Sequence, residues 1–331
     1  MKVTVLGTGA WGETLADLLQ ENLHEVVRWS RRSPQSLGSA IAQSAVIVSA
    51  VSMKGVPSIS QQVQALGLDS AVAIVSATKG LATSGLGTSS LATSGLTTAD
   101  GRKPLALPDR PSDLWLRALP NNPVVILSGP NLSKEIQSRL PAAAVAASSQ
   151  ESAAIVVQMI FNSQRFRVYT NTDPIGVELA GALKNVMAIA TGACDGLYLG
   201  TNARSALVTR GLAEMVRIAV GWGAQAETLY GLAGVGDLMA TCSSPLSRNY
   251  QVGYRLAQGE TISAILDTLE GTAEGVNTTQ VLMQLVRCQP DDRPLELPIT
   301  EQVDRLIRGE STPAEALNAL MSRVSKAERF R

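Results

Sequence analysis

Two lysines stand where proton chemistry could be done. Lys184 is the one lysine in "LAGALKNVMAIATGACDG" (179–196), an apolar helix-forming run, and Lys79 lies in "SATKGL" (76–81). At 100° per residue, Lys184, Ala188, Thr191 and Asp195 fall on one polar line of an otherwise apolar helix. Such a lysine either snorkels its ammonium to water or serves a ligand, and Gly181 and Ala188 leave space for a small one. Lys79 follows the end of an apolar strand, where open α/β sheets place their ligand crevice. Two ammoniums in one cleft repel, and partial desolvation lowers at least one pKa, which suits a general acid. A third block, "GLAGVGDLMATCSSPLSRNYQVGYRLAQGE" (231–260), places Asp237 after a glycine-rich turn and opens a helix with Ser247, Arg248 and Asn249. Arg248 beside free helix N–H groups could clasp a phosphate, which implies an anionic substrate. The plainer alternative is Ser247 as an N-cap followed by an incidental arginine.

Other chemistries are narrowed by what the chain contains. Its one histidine, His24, lies in "ENLHEVV" at a turn before a strand, so a serine–histidine–aspartate triad or a multi-histidine metal site is excluded. Cys194, Cys242 and Cys288 are far apart and odd in number, which supports neither a disulfide framework nor a zinc knuckle, so no metal is expected. Twenty-eight basic residues balance twenty-eight acidic ones, without the basic patch of a nucleic-acid binder. No apolar run reaches the roughly 18 residues of a membrane span. A cytoplasmic protein with a small-molecule partner is expected.

The elements that must position these residues follow from the hydrophobic pattern. At 331 residues, 45% hydrophobic and 17% charged, the chain supports two buried cores. Apolar runs at 2–7, 25–30, 44–51, 71–77, 123–129, 142–148 and 165–170 alternate with helical segments, predicting a mainly parallel sheet covered on both faces. The fold class is α/β, an N-terminal Rossmann-like doubly wound sheet over 1–172 followed by an all-helical domain over 173–331. In that second domain Arg210, Glu214 and Arg217 are expected on a charged outer face. Residues 81–119, with "LATSGL" at 81–86 and again at 91–96, read as a low-complexity loop. At the start, Gly7, Gly9 and Gly12 in "GTGAWG" have the G-x-G-x-x-G spacing between a strand and a helix that admits a dinucleotide pyrophosphate. The second strand ends in "WSRRS", without the acidic residue of an NAD site, so Arg31 and Arg32 favour the 2′-phosphate of NADP unless they are a solvated pair.

Taken together, "GTGAWGETLA" (7–16), "ATKGL" (77–81), "LSGPNLSKE" (127–135), "ELAGALKNVMAIATGACDGL" (178–197), "ALVTRGLAEM" (206–215) and "GLAGVGDLMATCSSPLSRNYQVG" (231–253), with "EG" at 274–275, resemble the bacterial-type NAD(P)-dependent glycerol-3-phosphate dehydrogenases. The resemblance implies reversible hydride transfer between NAD(P)H and dihydroxyacetone phosphate, giving sn-glycerol 3-phosphate for phospholipid synthesis, by a homodimer. It implies that Lys184 donates or accepts the proton and that Lys79 lies near the substrate oxygen and the nicotinamide. Gly129, Asn131, Asp237, Ser247, Arg248 and Asn249 match substrate positions; Trp11, Arg31, Ser133 and Glu274 match cofactor positions, which Arg248 also reaches. Three departures stand out: a short connection at 33–44, the 81–119 insertion directly after Lys79, and Asn131 in place of a serine. A reductase of 2-keto or 2-hydroxy acids, with Arg248 on a carboxylate, and a silent NADPH-binding sensor remain the alternatives.

Overall fold

Strand segments buried on both faces need no polar alternation, and the central ones here carry almost none. In a computed structural model that describes residues 1–83, 107–288 and 295–324, all seven apolar runs are strands. They are β1 (Lys2–Leu6), β2 (Glu25–Trp29), β3 (Val46–Ser49), β4 (Ala73–Ser76), β5 (Val124–Ser128), β6 (Ala142–Ala147) and β7 (Phe166–Asn171). Their order in the sheet is β2-β1-β3-β4-β5-β6-β7, parallel except for the antiparallel β5–β6 pair. Every residue of β3, β4 and β5 is buried. One face packs Val3, Val5 and Val75 against Leu15, Leu19 and Phe161; the other packs Leu6, Ile47 and Ile74 against Val56, Val63 and Trp115.

The covering helices are α1 (Ala10–Glu21), α2 (Leu37–Ile41), α3 (Val56–Ala65), α4 (Pro111–Ala118), α5 (Ser133–Gln137) and α6 (Glu151–Phe161). The short 33–44 connection thus still covers the sheet, because α2 buries Leu37, Ala40 and Ile41. Helix α4 corrects the loop reading of 81–119. Proline at its start, Asp113 accepting from the Arg110 N–H at 3.0 Å, and Trp115 wholly buried make 111–118 a stable amphipathic helix that composition alone concealed. Within the same loop Ala82 and Asp109 form a backbone bridge; residues 84–106, including the second "LATSGL", lie outside the described residues.

The helical part comprises α7 (Pro174–Gly196), α8 (Gly200–Gly221), α9 (Ala226–Leu229), α10 (Asp237–Cys242), α11 (Arg248–Ala257), α12 (Ile262–Thr268), α13 (Glu274–Cys288), α14 (Pro298–Ile307) and α15 (Pro313–Met321), with a π-helical turn at Leu232–Gly236. Asp173 begins it: its carboxylate accepts from Gly176 N, Gln225 N and Thr228 Oγ1 at 2.8–2.9 Å, capping α7 and fastening α9. Helix α7 is buried along nearly its whole length, and α11 crosses it at very close range. A Cβ on Gly253 would lie 1.8 Å from the Ile189 carbonyl oxygen, so only glycine permits that approach. The crossing fixes Lys184, on α7, relative to Arg248 at the start of α11.

One expectation about the helical surface is overturned. Glu214 is 1% exposed, not on an outer face with Arg210 and Arg217. Its carboxylate accepts from Ile299 N and Thr300 N, each at 3.0 Å, and from Thr300 Oγ1 at 2.6 Å. It therefore satisfies the open N–H groups at the start of α14, which a helical-spacing argument confined to α8 could not reveal. No helix among the described residues is long and apolar enough to cross a membrane.

Candidate active site

Strand ends and helix starts converge on one buried carboxylate. The π-helical turn delivers Asp237 to the start of α10, 1% exposed, facing Lys184 from the middle of α7 and Lys79 from the loop after β4. Lys184 Nζ donates to Asp237 Oδ1 at 2.6 Å and to Thr241 Oγ1 at 2.5 Å. Lys79 Nζ donates to Asp237 Oδ2 at 2.6 Å and to the Gly129 carbonyl at 3.0 Å. The lysines are therefore bridged by an anion, whereas the two lysine motifs by themselves suggested bare repulsion. Burial pushes the Lys184 ammonium down to about 8; Asp237 pulls it up against that, and the Lys79 charge adds to the lowering. An ammonium has three N–H donors, so each lysine keeps one for a ligand.

The polar line of α7 divides on folding. Thr191 bonds back to the Ala188 carbonyl at 3.1 Å, and Asp195 accepts from Tyr250 OH at 2.8 Å and Arg204 at 3.3 Å, so both serve packing. The space foreseen above Gly181 is already filled: a Cβ there would lie 2.6 Å from Ser128 Oγ and 3.6 Å from the Lys79 stem. Glycine at 181 admits the Ser128 hydroxyl rather than a ligand, with the Lys79 stem at ordinary contact distance.

Of the third block, Ser247 caps α11 by accepting from Tyr250 N at 3.2 Å, and Arg248 is exposed at the first position of that helix, with Glu274 as its charged neighbour. Asn249 is buried. Its amide accepts from Gly275 N at 2.9 Å and donates to Asn185 Oδ1 at 3.0 Å, tying α7, α11 and α13 together and leaving one N–H of its own. Asn185 and Thr241 escaped the motif reading. The signals were position alone: Asn185 adjoins Lys184, and Thr241 is one turn from Asp237 on the same face.

The sheet side fits a dinucleotide. Gly7 has φ +108° and a Cβ there would strike the Ala50 carbonyl at 2.7 Å, while nothing lies within 4 Å of a Cβ on Gly9, which starts α1 without a side-chain cap. That leaves uncapped helix N–H groups beside open space, with Gly12 in the first turn. Among the described residues the indole N–H of Trp11 and both polar atoms of Asn131 are buried without a hydrogen-bond partner, which a ligand there could supply. Arg31 and Arg32 are exposed beyond β2, without an ion-pair partner among the described residues. Ser133 opens α5; Glu274 opens α13, and its carboxylate accepts from Met53 N at 3.2 Å across the domain boundary. Burial raises the Glu274 pKa. Among the described residues no cluster of histidine, cysteine and carboxylate is placed to hold a metal ion.

A doubly wound sheet with a glycine turn at its first helix, joined to a helical domain by a lysine–carboxylate–lysine centre, defines a two-domain nicotinamide-dependent dehydrogenase. The chain matches the family models for the N-terminus (residues 2–37 and 34–154) and the C-terminus (173–318) of NAD-dependent glycerol-3-phosphate dehydrogenase, and it belongs to that family. Curated relatives named glycerol-3-phosphate dehydrogenase [NAD(P)+] include that of Trichormus variabilis, 54% identical over 98% of both chains, and that of a Synechocystis species, 52% identical over 99% of this chain and 95% of the other. The crystal structure of glycerol-3-phosphate dehydrogenase from Coxiella burnetii superposes with a TM-score of 0.83 at 30% identity, covering 97% of this chain and 99% of that one.

Proposed function

We propose that this enzyme reversibly reduces dihydroxyacetone phosphate to sn-glycerol 3-phosphate, the backbone of phospholipids, with residues 1–172 holding NAD(P)H and 173–331 supplying most of the substrate site. The observation that carries the reading is the buried Asp237 carboxylate shared by Lys184 and Lys79. Gly7, Gly9, Gly12, Trp11, Ser133, Lys79, Arg248 and Glu274 would hold the coenzyme, and Arg31 and Arg32 favour NADPH over NADH. When bound, the nicotinamide supplies hydride to the substrate's carbonyl carbon. As that carbon is reduced, negative charge grows on the carbonyl oxygen, and Lys184 Nζ protonates it through the N–H that Asp237 and Thr241 leave free. Lys184 is then a neutral amine and regains a proton from solvent; in the oxidation direction the same amine removes the alcohol proton. Lys79 places a second positive charge at the site, and Asp237 keeps both ammoniums in place. Arg248 and the start of α11, with Ser247 and Asn249, hold the phosphate and so fix the carbonyl, assisted by Gly129 and Asn131.

Balanced charge, the lack of a basic run and the family resemblance support a cytoplasmic homodimer with a small phosphorylated substrate and no nucleic-acid partner. The test follows absorbance at 340 nm with NADPH and then NADH, offering dihydroxyacetone phosphate, dihydroxyacetone and a 2-keto acid. Phosphate-dependent oxidation of coenzyme is expected. Turnover of the 2-keto acid in preference, or coenzyme binding with no turnover at all, would overturn the reading.

A further inference from the structure

The loop that carries Lys79 is anchored on both domains. Before it, Thr78 Oγ1 donates to the Val51 carbonyl at 2.7 Å, holding the loop to the sheet domain. After it, Leu81 is fully buried in the apolar cluster of the helical domain, with Leu183, Val186, Val281 and Leu285. The Leu81 carbonyl accepts a 2.7 Å hydrogen bond from Asn277 Nδ2, in the opening turn of α13. One residue further, Ala82 and Asp109 exchange two backbone hydrogen bonds of 3.0 and 2.9 Å, closing the base of the insertion. Only Gly80 separates Lys79 from Leu81, a span of at most about 7 Å of chain, so the anchored Leu81 limits how far Lys79 can stand from it.

We propose that Asn277, by fastening Leu81 in the helical core, is the positioning residue that keeps Lys79 in register with Asp237 and shields it from the chain that follows. The proposal rests on the dehydrogenase reading above and assigns Asn277 no contact with substrate. It explains how an insertion can begin a few residues after an active-site lysine without disturbing it: the chain is bound at Leu81 and again at Ala82 before it departs.

The consequence differs from simple destabilisation. The charged and titratable groups that face Lys184 are Asp237 and Cys242 on α10 and Lys79 on the β4 loop. Lys79 disfavours the charged form of Lys184, so a Lys79 that withdraws raises the pKa of Lys184. The full-length enzyme and its Asn277→Asp and Asn277→Ala variants are compared in dihydroxyacetone phosphate reduction from about pH 6 to 10, together with thermal melting. Aspartate keeps the shape of asparagine but sets an acceptor against the Leu81 carbonyl. In the folded variants kcat is expected to fall at least about tenfold, as a misplaced catalytic group does, and the alkaline limb of the rate profile to move to higher pH. An unchanged kcat, or a reduced kcat with an unmoved limb, overturns the proposal. Should both Asn277 variants fail to fold, Leu81→Val, which shortens the plug without touching a polar group, is read by the same two criteria. A wild-type enzyme that ignores dihydroxyacetone phosphate would instead sink the underlying reading, which keeps the two failures apart.

Discussion

Lys184 must be protonated to act as an acid and neutral to act as a base, and burial brings that change to about pH 8. Reduction is therefore expected to decline as pH rises through about 8 while oxidation of sn-glycerol 3-phosphate rises, two opposed limbs measurable on one preparation. Lys184→Ala should cost on the order of 10²–10⁴ in kcat for both directions, in the range of a lost general acid–base; near-normal turnover in the variant would remove Lys184 from proton transfer. Arg31 and Arg32 allow a separate test. Their joint replacement by alanine should raise the KM for NADPH far more than that for NADH, because only NADP carries the 2′-phosphate that guanidinium groups bind. Equal loss for both coenzymes would show a solvated pair. Residue types and spacing singled these groups out as candidates, but the binding partner of each lysine was not legible, since Asp237 lies 158 residues from Lys79 and 53 from Lys184.

Elements are held at the distances this chemistry needs by backbone contact. Helices α7 and α11 meet through Gly192 and Gly253, where added Cβ atoms would lie 2.1 and 1.8 Å from the Tyr250 and Ile189 carbonyl oxygens. Gly253→Ala should force the helices apart. Overpacking of this kind costs about 1–3 kcal/mol or more, seen as a lowered unfolding midpoint, and moving Arg248 away from Lys184 should raise the KM for dihydroxyacetone phosphate. An alanine variant with native stability and native KM would mean that the crossing does not set this spacing. The strands were legible because continuous apolar runs have few other uses. Helix α4 was not, because eight ordered residues were hidden beside serine-, threonine- and glycine-rich sequence. Glu214 was misread for a related reason: its partners, Ile299 and Thr300, belong to another helix.

Across the whole molecule, the sheet and helical domains are joined by a buried carboxylate of a different kind. Glu178 on α7, 2% exposed, accepts from Ser112 N at 2.9 Å and from the Ser112 hydroxyl at the start of α4. Burial raises its pKa to about 7, opposed by Arg110 and the Ser112 bonds and reinforced by Asp113. Because the folded pKa lies above the ordinary 4.5, this contribution to stability is complete below about pH 4.5 and is lost as pH rises through about 7. The loss is on the order of 3 kcal/mol. Glu178→Gln should thus narrow or reverse its stability deficit relative to wild type between pH 5 and 8, compared by melting temperature, and parallel curves would refute the shift. The sequence by itself determined the alternation of strand and helix, the glycine turn and the residue types available for chemistry, because periodicity and local backbone demands act over a few residues. Only the tertiary structure decided that one carboxylate binds both lysines, that Glu214 faces inward, and that Asn277 reaches Leu81. Those outcomes depend on burial and on which distant segments meet, and neither is encoded in any single stretch of chain.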